Sequence, residues 1–141
     1  VMTDMAGALL DVVTSDILVH VRRPMLAFAE IRRILRPGGY HVFSIPTPVP
    51  MAQCGVARVD TSGARDVHLL PPVYHGSGDG GRSLVYTDFG HDLLDALGAI
   101  GFPTVIDSYS VAALTFASRR DGGAVRPMIE QADHLRRPHR P

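Results

Sequence analysis

A strand, a helix and a second strand follow one another in the first third of the chain, and this order constrains the fold most. Residues 9–14 form an apolar, β-branched run typical of a strand inside a parallel sheet. Pro24 suits the first turn of a helix, and residues 37–39, Pro-Gly-Gly, are predicted to end it before a strand over residues 40–45. Apolar residues recur at helical spacing between them: Phe28, Ile31 and Leu35. The pattern predicts two parallel strands joined by a helical crossover.

A second helix and two short strands are predicted near the other end. Asp88 is a candidate N-cap, and Gly101 is placed to end the helix in a left-handed conformation. The apolar stripe of this helix comprises Phe89, Leu93, Leu97 and Ile100. Residues 104–106 and 113–117 are strand-like, and their short connection permits an antiparallel hairpin.

The segments outside these elements differ in composition. Residues 46–86 are rich in proline and glycine and are predicted to form a long irregular insertion, of the kind used as a lid or a binding segment. Residues 119–141 contain six arginines and three prolines and are predicted to be a disordered tail, which leaves residues 1–118 to form the fold. A basic anchoring arm is the alternative for the tail.

Charge and composition exclude several classes of function. Fourteen arginines balance fourteen acidic residues, so bulk charge gives no reason to expect nucleic acid or an anionic membrane as a partner. The chain has no lysine, which excludes a Schiff-base or phosphate-loop lysine. No stretch approaches the roughly 20 apolar residues of a membrane span. The single cysteine, Cys54, excludes an internal disulfide and a multi-cysteine metal site, and we expect a cytoplasmic location.

Two longer motifs carry a family resemblance. Residues 11–46, DVVTSDILVHVRRPMLAFAEIRRILRPGGYHVFSIP, resemble the middle of a class I S-adenosylmethionine-dependent methyltransferase, more narrowly the bacterial type 11 methyltransferase domain. In that family an Asp-initiated fourth strand leads to a Ser-(Asp/Glu)-Val-Leu-Glu-His-Val loop, and a Pro-led helix ends at Leu-(Lys/Arg)-Pro-Gly-Gly before the fifth strand. Residues 71–102 resemble a subgroup with a Tyr-His-Gly segment and a Thr-Asp-Phe-Gly helix start.

The resemblance implies an α/β fold, namely a partial Rossmann-like sheet with strands four, five, seven and six of the family order and an antiparallel last strand. It implies S-adenosylmethionine as cofactor and methyl transfer to a small-molecule or unknown acceptor. The family holds this cofactor mainly by a glycine-rich turn after the first strand and an acidic residue after the second, and neither motif occurs in these 141 residues. We therefore expect this chain to be the C-terminal portion of a longer methyltransferase and to be inactive by itself. A non-catalytic remnant or assembly module is the alternative, and a different Rossmann-type enzyme, such as an oxidoreductase, is a third.

Five residues are candidates for binding the cofactor. Asp4 and Met5 match the family's acidic-hydrophobic pair after the third strand, where a carboxylate accepts the adenine amino group. A solvated terminal residue is the alternative for Asp4. Ser15, Asp16 and Ile17 follow the fourth strand at its carboxyl end, where such folds bind ligands. Helix capping by Ser15 or Asp16 is the alternative.

His20 is the candidate catalytic residue. It matches the histidine of the family's Glu-His pair, with Val19 in place of the acidic partner. An imidazole near a methyl acceptor could take a proton as general base, whereas the alternative is a packed histidine bonded to backbone. The insertion, where substrate specificity is expected, has further candidates whose spacing does not predict a metal site: His68, Tyr74 and His75.

Overall fold

The computed structural model describes residues 2–3, 9–48, 50–78, 80–109 and 114–120. The candidates Asp4 and Met5 and residues 121–141 of the predicted tail lie outside this part of the chain. Arg119 and Arg120, the first two residues of that tail, belong instead to the fold, since Arg119 pairs with Tyr40 in the sheet and the Arg120 N–H donates to the Gly39 carbonyl. The helices are a 3-10 helix, Leu18–His20, and the α-helices α1, Pro24–Ile34, and α2, Asp92–Ala99. The strands in chain order are β1 (Met2–Thr3), β2 (Leu9–Ser15), β3 (Leu35–Ile45), β4 (Val56–Ala57), β5 (Val59–Asp60), β6 (Val67–His68), β7 (Tyr74–Gly76), β8 (Arg82–Leu84), β9 (Thr87–Asp88), β10 (Thr104–Tyr109) and β11 (Leu114–Arg119).

Five of the strands form one mixed sheet in the order β1-β2-β3-β11-β10. Strands β2 and β3 run parallel, as expected when a helix connects them, whereas β11 is antiparallel to both of its neighbours, β3 and β10. In the family order, β2, β3, β11 and β10 correspond to the fourth, fifth, seventh and sixth strands, and β11 is the reversed last strand. The predicted fold class is therefore confirmed.

Helices α1 and α2 cover one hydrophobic core. Phe28 on α1 is fully buried, and its ring lies 5.2 Å from Phe43 of β3 in an edge-to-face contact. Leu93 and Leu97 of α2 are buried in the same cluster, as their stripe in the sequence predicts. Gly101 follows α2 with a φ of +72°, a conformation that favours glycine because it has no Cβ.

Helix α1 is shorter than the sequence predicts. It ends at Ile34, and Leu35 already has the extended backbone of β3, with φ −67° and ψ 144°. Leu35 pairs with Leu9 of β2 and is fully buried there, so sheet pairing replaces a last helical turn. The guanidinium of Arg120 donates to the backbone carbonyls of Arg33 and Leu35 and thereby satisfies acceptors at the helix end.

Asp88 does not cap α2, so that prediction is wrong. It lies in β9, whose residues pair with Val56 and Ala57 of β4, and the helix begins four residues later at Asp92. The carboxylate of Asp88 instead accepts from Arg58 Nη1 at 2.6 Å. The Asp88 carboxylate therefore binds a side chain 30 residues away in the sequence, whereas the capping pattern predicts that it binds nearby backbone N–H groups.

The insertion over residues 46–86 contains two antiparallel pairings of short strands, β5 with β6 and β7 with β8, and its strand β4 pairs antiparallel with β9, which follows the insertion. It is attached beside the candidate site, since the N–H of Tyr86 donates to the carbonyl of Val19 at 2.8 Å. Asp66 joins it to the loop before α1 by accepting from Arg22 and from the Tyr86 hydroxyl, the latter at 3.1 Å. The hydrogen bond from Arg22 holds the pKa of Asp66 below its usual value.

Arg58 connects several pieces of the insertion. Besides Asp88, its guanidinium donates to the carbonyl of Pro71 at 2.7 Å, and its side chain is only 14% exposed. We expect Arg58→Lys to lower the free energy of unfolding by about 1–2 kcal/mol, because an ammonium cannot reproduce the planar fork of donors. Arg65→Lys, at an exposed position of the same insertion, should change it by less than about 0.5 kcal/mol in the same urea titration. Equal effects of the two changes would contradict this role for Arg58.

Candidate functional site

The parallel strands β2 and β3 end next to each other in a polar cluster of three side chains. Ser44 Oγ donates to Asp16 Oδ1 at 2.8 Å and accepts the Asp16 backbone N–H at 3.2 Å. Ser15 Oγ lies 3.0 Å from Ser44 Oγ and 3.4 Å from Asp16 Oδ2. The register of the sheet explains this meeting, because Ser15 and Ser44 are direct partners in the parallel pair.

Asp16 has the backbone of a sharp turn, with a φ of +53°. This left-handed conformation is uncommon outside glycine, and Asp and Asn tolerate it better than most residues. The capping alternative for Ser15 and Asp16 gains no support, because the 3-10 helix has Ile17 at its N-cap position and no side-chain cap hydrogen bond. The turn instead directs an exposed carboxylate past the carboxyl end of β2.

A cavity of about 320 Å³ lies between this turn and the hairpin of β7 and β8. It brings together four of the residues predicted from the sequence with small residues of the insertion. The lining residues are Ser15, Asp16, Ile17, His20, Gly76, Ser77, Gly78 and Ser83. Five of these eight residues have polar side chains, including one carboxylate and one imidazole, and Ile17 supplies an exposed apolar side chain.

His20 has a partner that the sequence does not reveal. Its Nδ1 lies 2.8 Å from the backbone carbonyl of Leu84, 64 residues along the chain. A carbonyl oxygen can only accept, so Nδ1 carries the hydrogen in the neutral ring and Nε2 keeps the lone pair. The ring also makes an edge-to-face contact with His75, with the centroids 5.1 Å apart. A hydrogen bond to backbone and a role as general base are therefore compatible, because the first uses Nδ1 of His20 and the second uses Nε2.

Other predicted candidates lie outside this cavity wall. Tyr74 is half-exposed under the guanidinium of Arg82, and His68 is exposed in β6 opposite Val59. Cys54 is exposed beside a second cavity of about 390 Å³, which includes Pro46, Pro48 and Phe89 in its wall. Across the described ranges, no three His, Cys, Asp or Glu side chains are grouped as a metal ion would require.

Sequence reasoning missed Ser44 and the small residues of the hairpin. Ser44 carries a usable signal, because a serine near the end of the second parallel strand can pair with Ser15 once the register is known. No comparable sequence signal marks the hairpin residues, because their place on the wall of the same cavity as Asp16 depends on how the insertion folds back. These residues are Gly76, Ser77, Gly78 and Ser83.

Residues 3–43 match the sequence model of a family described as a methyltransferase domain. We call residues 3–43 the methyltransferase segment, after the family whose model they match. The match covers β2, α1 and most of β3, and Ser44 lies just beyond it. It includes all the predicted cofactor-binding and catalytic candidates: Asp4, Met5, Ser15, Asp16, Ile17 and His20. Among curated protein sequences, none matches the chain. Within the described residues, no helix is both long and apolar enough to cross a membrane.

Solved structures share the fold of this chain over most of its length. The DhpI complex with SAH matches with a TM-score of 0.52 and 18% identity, over 82% of this chain and 49% of that one. The DhpI-SAM-HEP complex matches with a TM-score of 0.51 and 20% identity, over 79% and 50%. The 1,6-didemethyltoxoflavin-N1-methyltransferase of Burkholderia thailandensis matches at 0.48 and 20%, over 80% and 44%. The chain thus spans about half the length of these structures.

Proposed function

We propose that the chain takes part in S-adenosylmethionine-dependent methyl transfer to a small-molecule acceptor, with residues 1–118 as the C-terminal part of the catalytic domain in the cytoplasm. The proposal rests on the cavity at the carboxyl end of β2, whose wall includes both Asp16 and His20. Ligands of open α/β sheets bind at this end of the strands. The methyltransferase-domain match over residues 3–43 supports methyl transfer as the chemistry at this position.

The residues at the turn fit the charge of the cofactor. S-adenosylmethionine carries two cationic groups, its amino group and its sulfonium, and Asp16 presents an exposed carboxylate ordered by Ser44. A carboxylate is the natural acceptor for an ammonium, and Ser15 adds a hydroxyl beside it. Ile17, 54% exposed, offers an apolar contact. In the proposed site Asp4 and Met5 meet the adenine, as their match to the family implies.

His20 holds the position of a proton acceptor. When bound, the cofactor supplies an electrophilic methyl group whose bonding electrons return to sulfur. A hydroxyl or amine acceptor must lose its proton as it is methylated, and Nε2 of His20 has the lone pair to take that proton. Most of the rate enhancement is then expected from holding the two reactants together, which the cavity walls provide.

A binding experiment tests the role of Asp16 without requiring the acceptor. We would record ¹⁵N–¹H spectra of the full chain while adding S-adenosylhomocysteine, which keeps the cofactor's amino group and does not react. The amides of Ser15, Asp16 and Ile17 should shift. Asp16→Asn should raise the dissociation constant about tenfold, because a charge-assisted hydrogen bond is lost while the left-handed turn is still tolerated.

Asp95→Asn is the matched control, since Asp95 is an exposed acid on α2 and lies outside the cavity wall. It should leave the dissociation constant unchanged within about twofold. Shifts that avoid residues 15–17, or equal affinities of the Asp16→Asn variant and the unmodified chain, would count against the proposed site.

A further inference from the structure

The hairpin of β7 and β8 holds His20 from two directions. Leu84, the last residue of β8, accepts the Nδ1 hydrogen through its carbonyl at 2.8 Å. His75, in the middle of β7, places its ring against that of His20 at 5.1 Å with an interplanar angle of 86°. The two contacts come from opposite strands of one hairpin, in which His75 pairs with Ser83 and Tyr74 with Leu84.

These contacts select one tautomer and one ring orientation. Free histidine prefers the hydrogen on Nε2, and the carbonyl of Leu84 reverses that preference by accepting from Nδ1. The hydrogen bond alone leaves the ring free to rock about the Nδ1–oxygen direction. The perpendicular ring of His75 restricts that motion, since edge-to-face aromatic contacts prefer a defined angle.

We propose that the β7–β8 hairpin is a positioning element for His20 and that His75 is the side chain through which it acts. Together they keep Nε2 as the proton-accepting nitrogen on the wall of the cavity. This inference deepens the methyl-transfer proposal and rests on it for its catalytic meaning. Its physical content, the tautomer and orientation of His20, can be measured without cofactor or acceptor.

The hairpin is well placed to act as one unit. Its turn is closed by the Gly80 N–H donating to the Ser77 carbonyl at 2.9 Å, and Gly80 has a φ of +81°. Its base is attached by the Val85 N–H to the Val73 carbonyl at 2.9 Å. Gly76, Ser77 and Gly78 of the hairpin line the same cavity as Asp16, so the element that orients His20 also bounds the proposed acceptor space.

The first test reads the tautomer of His20 directly. Long-range ¹⁵N–¹H spectra of the full chain, recorded in alkaline buffer, should show the Nδ1–H form of His20 in about tenfold excess over the Nε2–H form. His75→Ala should reduce this excess at least about threefold, because the ring is no longer held toward Leu84. His75→Phe should restore it, since a phenyl ring keeps the edge-to-face contact without a nitrogen. An unchanged tautomer ratio in His75→Ala would overturn the proposal.

The second test loosens the hairpin without touching either ring. A Cβ at Gly80 or Gly78 would meet nothing within 4 Å, yet only Gly80 has a positive φ. Gly80→Ala should therefore strain the turn and lower the Nδ1–H excess of His20, whereas Gly78→Ala should not. The same tautomer ratio in both variants would contradict the role of the hairpin. Loss of S-adenosylhomocysteine binding at Asp16 would not affect either tautomer result, so the two proposals can fail separately.

Discussion

The free energy of unfolding is expected to fall by about 3 kcal/mol as the pH is lowered from 7 to 4, because His41 is buried in the sheet without charge. Its side chain is fully buried in β3, and its ring is stacked on Phe43 with the centroids 4.7 Å apart. Burial lowers the pKa of His41 from 6.5 to about 4. Nε2 lies 3.0 Å from Thr14 Oγ1, and Nδ1 has no hydrogen-bond partner among the described residues.

The direction of this pH dependence follows from whether the folded or the unfolded chain binds the proton at His41. Between pH 6.5 and about 4 the unfolded chain takes up a proton at His41 and the folded chain does not, so falling pH favours unfolding. Each unit of difference between the two pKa values is worth about 1.4 kcal/mol, and below the folded pKa the loss levels off. Urea titrations at pH 7, 5.5 and 4.5 would measure the slope.

A His41→Phe variant distinguishes the contribution of His41 to the pH dependence of stability from the contribution of the carboxylates. Phenylalanine keeps a flat ring beside Phe43 and Phe102 and cannot bind a proton. We expect its stability at pH 7 to lie within about 1 kcal/mol of the unmodified chain, with most of the slope between pH 6.5 and 4.5 gone. If the variant keeps the full slope, His41 is not the group responsible.

Gly90→Ala is expected to destabilise the chain by about 3 kcal/mol or to prevent stable folding. A Cβ at Gly90 would lie 2.3 Å from the carbonyl carbon of Cys54 and 2.4 Å from the nitrogen of Gly55, both backbone atoms that cannot turn aside. This contact joins the first part of the insertion to the start of α2. There the N–H of Gly55 also donates to Asp92 Oδ1 at 2.9 Å.

Gly98→Ala is the matched control for this substitution. Gly98 lies in α2, and a Cβ there would meet nothing within 4 Å. The change should raise the free energy of unfolding by about 0.5–1 kcal/mol, because alanine loses less backbone entropy in a helix. Thermal melts of both variants give the comparison, and a Gly90→Ala protein as stable as Gly98→Ala would show that the Cys54–Gly55 segment can move away.

The elements that sequence periodicity predicts are those whose partners lie nearby in the chain. Leu93 and Leu97 of the predicted stripe lie in α2 and are buried, because a helical repeat and the core it faces are both visible within one short window, whereas Phe89 is buried ahead of the helix. Two helix ends differ from the prediction, the end of α1 near Leu35 and the start of α2 after Asp88. Both depend on residues that are distant in the sequence. Leu35 pairs with Leu9 across the sheet, and Asp88 binds Arg58 of the insertion.

Some features of the candidate site also follow from the sequence, whereas others depend on contacts between distant residues. The sequence alone places Ser15, Asp16 and Ile17 at the end of an apolar strand, and the strand–helix–strand order is enough to put them at the carboxyl edge of a parallel sheet. The proton-accepting nitrogen of His20 could not be assigned from the sequence. Leu84 lies 64 residues away in a segment without periodicity.

The sequence by itself determines the strand and helix order, the methyltransferase-domain segment and the polar turn after β2, because these depend on local propensity and spacing. The tertiary structure decides what that turn faces. The register between β2 and β3 brings Ser44 to Asp16, and the folding back of the insertion brings His75 and Leu84 to His20. Contacts across 28 to 64 residues depend on the packing of the whole core, and no local pattern encodes them.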